Sequence, residues 1–309
     1  MDIAILKDMF SGDMQKKGVF FDEPMKRHTT LRIGGPADMF TVPGDIISLK
    51  GLLTMLRDED IPIMPLGGGS NLLVSDSGIE GVVLSLAAFD RIEVLRDKGD
   101  DVRLFVGSGL PLQKVVNFCK EKGFSGIEGL AGIPGSVGGA VRGNAGSFGY
   151  ETDRVVESVA LLRKDLSISI LDSSRLSFGY RSSSLGDEDI ILSANMILKR
   201  GDAGDVSRTT SGYLQEKVKK QPLSGHSAGC VFKNPAGGYA GRLIDEAGCK
   251  GMRRGDIEVS GIHANFFMNT GNGTASDFVA LMDDVKEKVI RMSGIELEPE
   301  IRITGRFLC

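Results

Sequence analysis

Two glycine runs and three scattered polar residues in this 309-residue sequence are of the types that do chemistry. The runs are GGGSN at 67–71 and GLAGIPGSVGGAVRGNAGSFG at 129–149. Consecutive glycines expose backbone N–H groups with no Cβ in the way, a nest suited to phosphate oxygens. The first run is not a GxGxxG opening directly into a helix, and no GK[ST] follows it. Neither the Rossmann fingerprint nor the Walker loop therefore applies. The second run carries Ile133, Val137, Val141 and Phe148 among its glycines, unlike a free linker, so it is expected to pack against something large and flat. Two such segments about 60 residues apart suggest a dinucleotide lying across a cleft.

The three residues are Arg181 in FGYRSS, Cys230 in SAGCVFKNP and Glu300 in LEPEIRITG. A guanidinium can fork onto a carboxylate and hold negative charge without changing protonation. A thiol of ordinary pKa, ~8.5, is mostly protonated at neutral pH and is a far stronger acid than an alcohol, so it can hand over a proton. An arginine nearby would lower that pKa. Glu300 precedes the alternating Ile301 and Ile303, and Glu298 shares its face if the alternation holds across Pro299. Each residue also has a plain reading: a solvated arginine, a small buried cysteine, a surface carboxylate.

Composition limits what these groups can serve. Lys and Arg number 37 against 41 Asp and Glu, a net charge of −4. That leaves no general field for nucleic acid or an anionic membrane, so a bound anion must be held by local groups. No apolar run reaches the ~18 residues of a membrane span. The cysteines at 119, 230, 249 and 309 form no CxxC pair, and His28, His226 and His263 share no HxxxH spacing. Neither a metal site nor a disulfide frame is expected, and a reducing cytoplasm is the easier setting. Nothing in the sequence fixes the oligomeric state; a monomer would suffice.

The elements that must position these residues follow from periodicity and punctuation. Residues 1–20 read as a partly amphipathic lead-in. Asp45 caps a helical stripe of Ile46, Leu49, Leu53 and Leu56, and a buried strand at 61–66 runs into GGGSN. Strands are expected near 82–86, 92–96 and 102–106, then a helix opened by Pro111 and closed by Gly123. After the long glycine run, strands near 157–163, 167–171 and 190–198 return the chain to sheet. Beyond a polar hinge at 201–205 come a helix at 206–220 with a basic end, a turn into a short strand at 227–235 and a helix at 240–248. A strand at 263–269, a helix from Phe278 to Gly294 and a strand at 300–307 complete the chain. Helices and strands alternate irregularly, so the class is α+β with a boundary near 200.

LRIGGPAD (31–38), PLGGGSNLLVSD (65–76), the run at 129–149, FGYRSS (178–183), SAGCVFKNP (227–235) and LEPEIRITG (297–305) occur together in order. In this combination the sequence resembles the UDP-N-acetylenolpyruvoylglucosamine reductases over roughly residues 20–307. The resemblance implies an FAD-binding fold of the vanillyl-alcohol oxidase type at 21–200, in two α+β subdomains of about 21–88 and 89–200. A smaller α+β substrate domain at 201–309 follows, its last strand returning toward the FAD site. It implies NADPH as reductant, non-covalent FAD, and UDP-N-acetylglucosamine enolpyruvate as substrate. Hydride passes to the terminal enolpyruvyl carbon and a proton to its neighbour, giving UDP-N-acetylmuramate. Only 48 residues separate Arg181 from Cys230, which resembles the shorter class lacking an inserted tyrosine loop.

The same resemblance makes Arg181, Cys230 and Glu300 the catalytic trio, with Cys230 where the best-known members carry a serine proton donor. The thiol would then be the acid, and turnover would decline as it ionises. Tyr180, Lys220 and Asn234 become substrate contacts, with Lys217 and Lys219 as alternatives for the lysine. The FAD contacts become Gly34, Gly67, Gly68, Gly69, Ser70, Asn71, Gly132, Ile133, Pro134, Gly135, Ser136, Gly138, Gly139, Asn144, Ala145 and Gly146. Two other readings are an FAD-dependent oxidase of the same fold and a catalytically silent UDP-sugar or flavin-binding module.

Overall fold

The computed structural model describes Lys7, residues 18–186 and residues 188–306; the lead-in expected at 1–20 lies almost entirely outside the described residues. Strand β1 (Val19–Pro24) runs antiparallel to β2 (Pro36–Thr41). Helix α1 (Ile46–Asp58) follows, then β3 (Ile63–Leu66), β4 (Leu72–Val74) and β5 (Ile79–Ser85). The first sheet has the order β1-β2-β5-β3, with β2 and β3 parallel to β5. Asp45 starts α1 as the residue types predict: its carboxylate accepts from the Ser48 amide at 2.8 Å while Ser48 Oγ accepts from the Asp45 amide. That fixes the helix phase, so Leu49, Leu53 and Leu56 meet Met39, Val82 and Leu84 in one core.

The next strands are β6 (Ile92–Lys98) and β7 (Asp101–Gly107), followed by α2 (Leu112–Lys122), β8 (Phe124–Ser125) and the short α3 (Val137–Arg142). Then come β9 (Val156–Leu162), β10 (Ile168–Asp172), the two-residue strands β11 (Phe178–Gly179) and β12 (Ser182–Ser183), and β13 (Ile190–Arg200). The second sheet runs β10-β9-β13-β7-β6, all antiparallel, with β8 on β13. Pro111 opens α2 and Gly123 closes it at φ +69°. Val115, Val116 and Cys119 pack with Leu104, Val106, Val141, Val159 and Met196 in the largest core. The second glycine run thus packs on this sheet, as its apolar residues require.

The last third contains α4 (Ala203–Lys220), α5 (Ala240–Glu246), a three-stranded sheet of β14 (Arg253–Arg254), β15 (Ile257–Val259) and β16 (Phe267–Asn269), then α6 (Ala275–Ser293) and β17 (Arg302–Thr304). Phe278, Leu281, Val285 and Val289 from α6 join Phe232, Ile244 and Phe267, and Leu31, Ile33 and Leu73 from the first third enter the same core. Strand β17 leaves this region to lie parallel beside β4, directly after GGGSN.

Two expected strands are shorter or absent. The segment 227–235 forms only isolated bridges, Cys230 to Phe266 and Phe232 to Pro299. The side chain of Asn265 replaces a ladder there: its Oδ1 accepts from the Phe232 amide at 2.9 Å and its Nδ2 donates to the Phe232 carbonyl at 2.7 Å. At the other end, Glu298 and Glu300 precede β17 instead of lying within it, so the alternation that would put them on one face does not operate.

Candidate active site

The two glycine runs come into backbone contact. A Cβ on Gly68 would stand 2.7 Å from Gly135 Cα, and one on Gly67 would stand 2.5 Å from Ser136 Oγ. Ser70 Oγ donates to the Pro134 carbonyl across the same gap. Gly69, at φ +60°, passes so close to the 28–29 backbone that a Cβ would sit 1.9 Å from the His28 carbonyl oxygen. Between the runs lies a cleft of about 330 Å³, lined by Gly67, Gly68, Ala87, Gly109, Pro111, Gly135 and Ser136. Ser136 caps α3 through the Gly139 amide.

Arg181 sits at the tip of the hairpin joining β11 to β12, where Phe178 faces Ser183 and Gly179 faces Ser182. Its backbone adopts φ +56°, a left-handed conformation unusual for a residue with a side chain. The guanidinium donates to Glu300 Oε1 at 2.7 Å and to the Gly146 carbonyl at 3.2 Å. Behind it, Asn144 is buried and ties the glycine run to the hairpin, Nδ2 donating to the Gly179 carbonyl and Oδ1 accepting from Asp153.

Glu300 arrives from the far end of the chain. Its amide donates to the Val231 carbonyl at 2.7 Å, placing it beside Cys230, and its carbonyl accepts from Asn71 Nδ2 at 3.0 Å. Burial raises its carboxyl above the usual carboxylate value, with the Arg181 charge pulling the other way. The Cys230 thiol, half-buried, is pushed up to about 12, first by burial and then by the Glu300 charge, against the opposing pull of Arg181. Arg181 lowers it, as expected, but burial and a neighbouring carboxylate outweigh one guanidinium that is already paired. The net direction favours the protonated thiol.

These three groups, more than a hundred residues apart in the cases of Arg181 and Glu300, converge beside two touching glycine runs. Residues 37–165 match the FAD binding domain family, and residues 221–304 match the C-terminal domain of UDP-N-acetylenolpyruvoylglucosamine reductase. The chain is 40% identical over 309 residues to the UDP-N-acetylenolpyruvoylglucosamine reductase of Syntrophus aciditrophicus, covering 99% of each. To that of Pelobacter propionicus it is 44% identical over 284 residues, 92% of this chain and 95% of the relative. The chain belongs to the UDP-N-acetylenolpyruvoylglucosamine reductase family. The crystal structure of such a reductase from Thermus caldophilus matches with a TM-score of 0.78 at 36% identity, covering 91% of this chain and 97% of that one. The fold is accordingly the FAD-binding fold of the vanillyl-alcohol oxidase type with a C-terminal domain, as the motifs imply.

The residues present fit the FAD of this reductase family. Side chains at 67–69 and 135 would fill the cleft or collide with facing backbone, so glycine there keeps a cradle open for a close backbone approach. Ser108, 1% exposed and packed against Gly138 at the start of α3, has a buried hydroxyl without a protein partner among the described residues. The remaining residues expected to touch FAD divide. Gly132, Ile133 and Pro134 form the turn leading into the cleft, and Gly138 and Gly139 the first turn of α3. Asn144, Ala145 and Gly146 are bonded to the Arg181 hairpin and its neighbouring turn. The Asn71 side chain is committed to Glu300. Gly34, at φ +137°, is explained by packing: a Cβ would meet Met25 and Val74 at 2.9 Å.

Of the residues expected to touch the reductase's substrate, Tyr180 and Asn234 come together. The Asn234 amide donates to Tyr180 Oη at 3.4 Å, and Arg181 lies 5.2 Å from the Tyr180 ring centre. Asn234 Oδ1 accepts from the Ala240 amide at the start of α5. Lys220 is exposed and ion-paired with Glu216 on its own helix. Glu298 likewise pairs outward with Lys233. The residue that sequence reasoning passed over is Asn265, whose signal was an amide within the strand-like run HANFFMN; Lys217, offered there only as an alternative for the substrate-contact lysine, is the one that is buried.

Proposed function

We propose that this enzyme reduces UDP-N-acetylglucosamine enolpyruvate to UDP-N-acetylmuramate with NADPH, in a cytoplasmic step of peptidoglycan synthesis, and that Cys230 is its proton donor. Bound FAD supplies the hydride carrier between NADPH and the terminal enolpyruvyl carbon. Hydride addition there leaves negative charge delocalised toward the substrate carboxylate. Arg181 is suited to receive that charge, because its guanidinium is held by Glu300 and the Gly146 carbonyl and keeps its proton throughout. Cys230 Sγ then gives its proton to the adjacent carbon and leaves as thiolate, to be reprotonated before the next cycle. Glu300 holds Arg181 in place and, through its amide on Val231, keeps the Cys230 backbone against it. Tyr180 and Asn234 border the substrate side.

The observation that carries this reading is the convergence of Arg181, Glu300 and Cys230 in contact distance of one another's segments. Among the described residues no helix is long and apolar enough to cross a membrane. The oxidase reading is not favoured, because the 221–304 match and the full-length relatives are reductases. The test is the visible spectrum of the FAD-loaded enzyme under anaerobic conditions. Bleaching with NADPH followed by recovery only on adding the enolpyruvyl UDP-sugar is the expected result. Recovery with oxygen and indifference to the sugar would overturn it.

A further inference from the structure

The site holds a buried cation, Lys217, which the sequence offers only as an alternative substrate contact and which the steps above do not use. Lys217, one turn before the end of α4, is 3% exposed, and its ammonium donates to the Ala131 carbonyl at 2.7 Å. It lies 5.7 Å from the centre of the Phe148 ring, which stacks on Tyr213 of the same helix; Tyr150 meets Tyr213 edge-on. The turn it grips is packed directly on α4. A Cβ on Gly132 would stand 3.0 Å from Leu214 and 3.3 Å from the Lys217 stem, while the Gly132 amide is held from α2 by Gln113 at 2.7 Å.

What Lys217 lacks is a counter-charge. Among the described residues no carboxylate pairs with it; Glu216 is taken by Lys220, and Glu300 by Arg181. The charged group that bears on it is a second cation, Arg181. An ammonium removed from water without a counter-charge is costly, and an anion brought near it would offset that cost. In a water-poor site the added field acts over several ångströms.

We propose that Lys217 is a positioning residue for the anion-binding side of this site: fastened to the Ala131 carbonyl, it fixes the turn over 130–133 and sets a second positive charge beside Arg181 for an anionic ligand. The inference rests on the reading of the site as one that takes FAD and a UDP-sugar. The anion has two sources, the diphosphate of the UDP-sugar and the reduced flavin ring, which the test separates.

Burial and then the Arg181 charge bring the Lys217 pKa down to about 8. The groups facing it can be named element by element. Arg181 comes from the β11–β12 hairpin and Tyr150 from the 146–151 segment, its phenol pushed up to about 12 by burial and neutral here. Glu300 is bonded to Arg181, and Cys230 bears on that pair. Glu128, at the foot of the gripped turn, is bonded to Ser125 Oγ and the Gly126 amide. Lys217 is thus the group here that loses charge near pH 8.

The test compares wild type, Lys217→Met and Lys217→Arg as FAD-loaded enzymes, with Lys217→Gln replacing the methionine variant if that one does not fold. Two readouts are followed from about pH 6.5 to 9.5: the Kd of UDP from the flavin absorbance change, and the midpoint potential of the bound flavin. At pH 7, Lys217→Met should weaken UDP about tenfold or more if the diphosphate is the anion, or lower the potential if the reduced ring is. FAD content and thermal midpoint should hold, and Lys217→Arg should restore the lost property. In wild type the advantage should fade above about pH 8 and in Lys217→Arg it should persist. Both readouts unchanged in Lys217→Met, or equal losses in the arginine variant, would overturn the proposal. A wild-type protein that took up neither FAD nor UDP would overturn the functional reading itself.

Discussion

Cys230 shows how one side chain takes its character from its surroundings. An ordinary thiol would be substantially ionised near pH 9, and an acid catalyst would then fail. Burial and the Glu300 carboxylate hold this thiol up to about 12, so it stays neutral across the working range. Two outcomes follow. Cys230→Ala should lower turnover by about two orders of magnitude or more, the usual contribution of a positioned acid, with flavin reduction by NADPH as the control. The alkaline limb of kcat should be the same in wild type and in Cys230→Ser up to about pH 9.5, because in neither does the donor ionise there. A wild-type decline near pH 8.5 that vanished in the serine variant would show that the thiol is not shifted. The residue types at 181, 230 and 300 were legible from the sequence. The direction in which they tune one another was not, because it depends on depth of burial and on which acid the arginine faces.

The hairpin carrying Arg181 illustrates a site element built against local preference. Two-residue turns favour glycine or asparagine at left-handed positions, yet this one places arginine at φ +56°. The conformation costs roughly 1 kcal/mol for a residue with a Cβ and aims the guanidinium at Glu300 and the Gly146 carbonyl. Comparing two truncations isolates this cost, since both lose the guanidinium equally. Arg181→Gly should be more stable than Arg181→Ala by about 1 kcal/mol in urea unfolding, while the two are equally impaired in turnover. Equal stabilities would mean the turn is not strained. The caps at Asp45, Gly123 and Gly294 behave as their residue types predict, since a cap is decided within four residues of sequence. The strand expected at 227–235 does not form as a ladder, because its partner groups come from the Asn265 side chain, 33 residues away.

At the scale of the whole molecule, the C-terminal third is fastened to the first third at several points around the site. The Asp76 carboxylate accepts from the amides of Ala275 and Ser276 and from Ser276 Oγ at the start of α6. Thr30 links the Gly69 carbonyl to the Ser227 carbonyl, three residues before Cys230, and β17 lies on β4. Asp76 thus serves as a helix cap delivered from 199 residues away. Asp76→Ala should cost about 1 kcal/mol, seen as a lower urea midpoint at unchanged slope, and Asp76→Asn should recover part of it. A shallower slope in Asp76→Ala would instead indicate that the two regions had begun to unfold separately.

By itself, the sequence determined the α+β class, most helix limits, the glycine nests and the family, because each is written in short-range periodicity, punctuation or contiguous motifs. It also supplied Arg181, Cys230 and Glu300 as candidates. Only the tertiary structure decided that Glu300, not Glu298, meets Arg181, that Lys217 and not Lys220 lies buried beside it, and that Asn71 grips the last strand instead of standing free. The physical reason is common to all three. A charged side chain turns inward or outward according to partners from distant segments, and neighbours in sequence carry no record of them.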